Sequence, residues 1–226
     1  MCTLYESLVQ VLVEDSRREE HVIGVLLTGS LAPGDAVPGA HLDARFLLAD
    51  GYSCPSRTDT QDGILVERRY DDMASAEATL ASDPTHMYAY LDGRILLDQE
   101  GVLARLTQLA RQRFETYQTP DRVKSTIEGL LKWSRHRILV ATIGGDQRRA
   151  ALVTRNSSWL IVEGLWAANN RPLPPNSSIP AHLRDLSQGP PDVDALYEQL
   201  FLGETRQRVR AALNLIDWTL AHLSSG

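Results

Sequence analysis

The stretch from Leu26 to Leu48 constrains the fold more than any other part of the chain. His21 to Thr28 is a short apolar run rich in Val, Ile and Leu, and Gly29 ends it. Such a run, bounded by a turn signal, predicts a buried strand. Gly29 to Ala40 then carries Gly29, Pro33, Gly34, Pro38 and Gly39, a density of breakers that predicts turns. A second strand is predicted over Leu42 to Ala49, so two strands must be accommodated side by side across a short irregular connection.

The flanking pattern extends this unit. Leu4, Leu8, Val11 and Leu12 recur at helical spacing, and Thr3 with Glu6 matches a capping box, so Thr3 to Asp15 is predicted helical. Gly51 to Asp62 reads as a polar loop. Gly63 to Tyr70 reads as a third strand with Leu65, Glu67 and Arg69 on one face. A helix over Met73 to Ser82, a short strand over Arg94 to Leu97 and an amphipathic helix over Val102 to Phe114 come next. Beyond Tyr117-Gln118-Thr119-Pro120 the pattern contains helices and no convincing strand: Pro120 to Ile143, Gln147 to Asn169, Ile179 to Leu186, Asp192 to Leu202 and Glu204 to Leu223. The expected class is therefore α+β, with a mixed sheet and flanking helices over residues 1–117 and an all-α bundle over 118–226.

The end of the first strand has the makings of a phosphate site. A glycine after a buried strand lets backbone approach a phosphate closely. Ser30 is expected to open a short helix, whose free N–H groups and dipole attract phosphate oxygens. Acids two apart on a strand point to one face, and a carboxylate pair can hold divalent cations that orient a triphosphate. The run Leu26-Leu27-Thr28-Gly29-Ser30-Leu31-Ala32-Pro33-Gly34-Asp35-Ala36-Val37-Pro38-Gly39-Ala40-His41-Leu42-Asp43 resembles the core of the nucleotidyltransferase superfamily. That group includes kanamycin nucleotidyltransferase and polymerase β-like enzymes, and its core is a strand, a Gly-Ser turn, a short helix and a second strand bearing Asp-x-Asp.

The resemblance implies a role for each matching position. Gly29 and Ser30 would hold a nucleoside triphosphate, with Ala32 and Gly34 in the helix and loop after them. Asp43 falls on the second aspartate and His41 on the first. Glu67 is the best-placed third carboxylate from a neighbouring strand, and Arg45, Arg68, Arg69 and Arg94 are candidate phosphate contacts. Many antibiotic-modifying bacterial members add a helical domain that supplies a general base. Glu163, among large apolar residues, matches that role, because a carboxylate there would have a raised pKa. The implied cofactor is Mg2+, and the implied reaction moves a nucleoside monophosphate to a hydroxyl of a small polar acceptor. His41 is the departure, since an imidazole is a poor magnesium ligand. The same fold without turnover, as a nucleotide- or partner-binding module, is the alternative.

Plainer readings stand beside these. A second register places Asp43 first and Arg45 second, and it too breaks the acid pair. Asp43 and His41 also read as strand-end residues, and Glu67 as a strand acid paired with an arginine. Glu163 also reads as a buried acid satisfied by Arg155, and Trp133, Trp159, Trp166 and Trp218 as bundle packing. A net charge of -6 argues against non-specific nucleic-acid binding, which needs a cationic surface. Cys2 and Cys54 lack metal-ligand spacing and suit a reducing cytoplasm. No apolar run is long enough to suggest a membrane span, and a homodimer is an expectation by analogy alone.

Overall fold

The computed structural model describes residues 2–32 and 39–223, with Cys2 and Thr3 as backbone only. The capping box expected of Thr3, and Pro33, Gly34 and Pro38 of the turn-rich stretch, lie outside the described residues. The chain divides into two compact units, Met1–Thr116 and Tyr117–Gly226.

In the first unit, α1 (Cys2–Arg18) leads into β1 (Val22–Thr28) and then a 3-10 turn (Gly29–Leu31). Next come β2 (Leu42–Leu48), β3 (Arg57–Gln61), β4 (Ile64–Asp72), α2 (Met73–Ser82), α3 (Met87–Leu91), β5 (Arg94–Asp98) and α4 (Val102–Glu115). The strands form one sheet in the order β3-β4-β2-β1-β5. It is mixed: β2 and β4 run parallel, and the other neighbours are antiparallel. Alternation along β2 explains its orientation. Leu42, Ala44 and Phe46 are buried with Ile64 and Val66 of β4 beneath Leu8 and Leu12 of α1, while Asp43 and Arg45 point to the opposite face.

Two elements differ from expectation. The predicted loop over 51–62 contains β3, whose sequence Arg-Thr-Asp-Thr-Gln has no apolar run. It forms because Asp62 and Gly63, both at positive φ, make a two-residue hairpin turn onto β4. That turn signal, not hydrophobicity, marks it. The short helix α3 has no counterpart in the sequence pattern, since five residues are too few to show a period. It buries Met87, Tyr88 and Tyr90. Two caps work as their chemistry suggests. Asp72 accepts from the Ser75 N–H at 2.7 Å to start α2, and Asp98 accepts from the amides of Leu103 and Ala104 to start α4.

The second unit is helical: α5 (Asp121–Ile143), α6 (Gln147–Ala168), α7 (Ile179–His182), α8 (Val193–Leu202) and α9 (Thr205–Leu223). The helix expected over Ile179 to Leu186 is α7 plus a 3-10 turn at Leu183–Asp185. Ile127, Leu131 and Ile138 of α5, Ile161, Leu165 and Trp166 of α6, and Ala212, Leu215 and Ile216 of α9 share one core. Trp166 is fully buried and Trp159 and Trp218 flank the core, whereas Trp133 is 60% exposed and is not core packing. Ser157 on α6 donates to Ser134 on α5 at 2.9 Å inside this apolar setting, a satisfied polar pair. At the C-terminus of α6, Asn169 closes the adjoining loop by donating to Leu165 O and Gln188 O and accepting from the Gln188 amide.

Gly164 lets three helices meet. A Cβ there would stand 2.8 Å from Thr219 Cγ2 and 3.1 Å from Leu131 Cδ1. Gly164→Val is expected to destabilise this unit by about 2 kcal/mol or more through overpacking. Because all four tryptophans lie in α5, α6 and α9, urea unfolding followed by tryptophan fluorescence reads this unit alone. An unchanged midpoint would show that the three-helix contact is not tight.

Candidate functional site

The site grows out of strand register. Parallel pairing of β2 with β4 sets Asp43 opposite Glu67 and Arg45 opposite Arg69. Antiparallel pairing with β1 sets Thr28, the residue before Gly29, opposite Asp43. Residues in register point to the same face. The sheet therefore displays two acids side by side at the end nearest Gly29, and two arginines one step further in. Like charges directly opposite each other cost up to about 1 kcal/mol per pair. The sheet thus sets a pair of acids beside a pair of arginines on one face.

Gly29 is built into this corner. Its φ of 65° is left-handed, and an added Cβ would overlap the Asp43 carboxylate. Only glycine fits between the turn and the acid. The helix expected to open at Ser30 is a single 3-10 turn among the described residues, Gly29–Leu31, closed by the Ala32 amide donating to Gly29 O at 3.2 Å.

His41 sits just before β2 and meets the acids. Its Nε2 lies 3.1 Å from Asp43 Oδ2, with His41 52% exposed and Asp43 24% exposed. One ligand atom each from His41, Asp43 and Glu67 fall within 4.8 Å of one another. Tyr5 of α1 donates its hydroxyl to Ala40 O at 2.8 Å and so holds the backbone that enters His41. Sequence reasoning does not single out Tyr5, because a contact between α1 and this loop leaves no local pattern.

The electrostatics reflect burial. Burial pushes the Asp43 pKa up; the neighbouring His41 pulls it down, Glu67 raises it, and Arg69 and Arg45 lower it. Burial lowers the Arg45 pKa, Tyr90 raises it, and Arg69 lowers it as a like charge. Tyr90, buried beside Arg45, has its hydroxyl pKa raised by burial. Arg45 is thus a deep, half-enclosed cation between Tyr90 and Asp71, whereas Arg69 is exposed. Sequence reasoning also misses Asp71, although its place two residues beyond Arg69 on a strand puts it on the same face.

Three predicted residues stand elsewhere. Arg68 alternates to the opposite face of β4, is 3% exposed and pairs with Asp59 of β3, so it is not a phosphate contact in this row. Arg94 is exposed on β5, in register with Leu27 of β1. Glu163 belongs to the second unit. Burial raises its pKa, and a hydrogen bond from Trp159, not Arg155, offsets part of that rise.

Magnesium, the ion implied by the resemblance, fits this donor set poorly. Asp43 and Glu67 are suitable oxygen donors, but the third donor is an imidazole nitrogen where magnesium requires oxygen in a near-ideal octahedron. Among the described residues no helix is long and apolar enough to cross a membrane. No family model matches the chain, and no curated protein matches it in sequence. Among solved structures it is similar to a nucleotidyltransferase-like protein from Exiguobacterium sibiricum 255-15, at 14% identity. The match covers 96% of this chain and 74% of that chain with a TM-score of 0.45. A likeness this distant assigns no chemistry, which must come from the site itself.

Asp43 gives a stability test. Its pKa is raised in the folded chain, so folding disfavours the ionised form. That cost is present at neutral pH, where the group is ionised, and disappears as pH falls below the ordinary aspartate value. Asp43→Asn is expected to slow amide hydrogen exchange in β1 and β2 at pH 7, with the difference closing in acid. Faster exchange at pH 7 would show that Asp43 stabilises the fold instead.

Proposed function

We propose that this protein binds a nucleoside triphosphate on the charged row of the first unit and transfers its nucleoside monophosphate to a hydroxyl of a small polar acceptor. One observation carries the reading: an acid pair and an arginine pair lie in adjacent register beside a left-handed glycine packed on the Asp43 carboxylate. Ser30 and the exposed Arg69 are the contacts for phosphate oxygens, Arg69 through a planar guanidinium suited to paired bonds. Arg45, largely buried near Tyr90 and Asp71, supplies positive charge behind them. A dication bound by Asp43 and Glu67 would remove the repulsion between those carboxylates and the triphosphate. The acceptor oxygen would attack the α-phosphorus as its proton leaves to a base. The bond from that phosphorus to the bridging oxygen would break, and pyrophosphate would depart.

A second reading, binding without turnover, is favoured by His41, which stands where the resembling family carries an acid. Asp43→Asn and Glu67→Gln are expected to lower pyrophosphate release about 100-fold or more if transfer occurs. Ser30→Ala and Arg69→Ala are expected to weaken triphosphate binding about tenfold each, read with a fluorescent nucleotide. Gly29→Ala should abolish binding, since its Cβ displaces Asp43. Nucleotide binding with no pyrophosphate release over hydroxyl acceptors, and release gained in His41→Asp, would replace the first reading with the second. No nucleotide binding at all would remove both.

A further inference from the structure

We propose that the His41, Asp43 and Glu67 cluster is a one-ion site selective for a later first-row transition-metal dication, such as Co2+ or Zn2+, over Mg2+, with His41 Nε2 setting the preference. The donors are one imidazole nitrogen and two carboxylates, all within 4.8 Å. Neighbouring ligands of one ion, each about 2.1 Å away, stand about 3.0–3.4 Å apart, so side-chain movements of roughly 1–2 Å close the set. Imidazole is a good ligand for the later first-row ions and a poor one for magnesium, which holds its waters and favours oxygen.

Geometry and charge point the same way. The ring nitrogen at the acids is Nε2, 3.1 Å from Asp43 Oδ2, so His41 already stands at the donor cluster. The Tyr5 bond to Ala40 O fixes the backbone that delivers it. Two carboxylates and one dication sum to zero, which leaves no surplus negative charge for a second ion. Arg45 and Arg69 are next in the row and repel any cation. That repulsion falls hardest on an ion held by charge alone, and less on one that also gains a nitrogen bond.

The inference rests on the reading of this row as a dication-dependent nucleotide site, and titrations without nucleotide keep the two separable. The test uses the full chain, with Co2+ and Mg2+ chlorides in calorimetry and pulsed paramagnetic resonance of bound Co2+. One equivalent of Co2+ is expected, bound about 100-fold more tightly than Mg2+. Nitrogen hyperfine coupling is expected in the natural chain and lost in His41→Gln. His41→Asp should cut the Co2+ to Mg2+ ratio about tenfold, with circular dichroism showing that the variants fold. Absence of nitrogen coupling, an unchanged ratio in both variants, or no ion binding would each overturn the proposal. Co2+ binding with nitrogen coupling, but no nucleotide binding under any ion, would leave the metal site standing and remove the nucleotide reading. Nucleotide binding with no His41-dependent metal effect would do the reverse.

Discussion

Parallel pairing of β2 with β4 is the constraint on which the rest of the first unit depends. The register that buries Leu42, Ala44 and Phe46 with Ile64 and Val66 under α1 is the same register that sets Asp43 against Glu67 and Arg45 against Arg69. A one-residue slip would turn the apolar set out and the charges in, so the core enforces the row. Like charges are held together because the opposite face leaves no other arrangement. The repulsion is tolerated because the acids and the arginines, in successive rows, partly neutralise each other across a short distance.

Within that frame each site residue has a distinct standing. Asp43 is confined by Gly29 on one side and Glu67 on the other, and its carboxyl pKa is raised by burial. Arg45 is largely buried near Tyr90 and Asp71, while Arg69 faces outward. His41 is half-exposed and enters from a connection, not from a strand. The pattern is enclosed charge on the sheet with more exposed groups at its edge.

Much of this is legible in the sequence because it rests on period-2 alternation and turn chemistry. β1, β2, α2 and the long helices of the second unit track their apolar patterns closely, and Glu67 and Arg69 lie on one face as their spacing implies. The failures have physical causes. β3 has no hydrophobic signal, since it is an edge strand held by a hairpin turn. α3 is too short for a period. Arg68 alternates away from its neighbours, and its burial with Asp59 cannot be read without first recognising β3. Tyr5 and Tyr90 reach the site through tertiary contacts that no local pattern encodes. Trp133 shows the converse, an aromatic at helical spacing that the bundle leaves in solvent.

The way β2 meets β4 also bears on the order in which the chain folds. β1 and β2 join antiparallel and β3 and β4 form a tight hairpin, so both pairs close over modest separations. The seam between them is parallel, and its partners lie no further apart in the chain than the outermost β1–β2 pair, so chain length alone does not delay it. It must, however, close against two pairs of like charges. The acidic corner is therefore expected to be completed late in folding, as the two halves of the sheet dock. An ion that recognises the finished corner would bind the native chain and not its precursors, and would act as a latch on the last seam of the sheet.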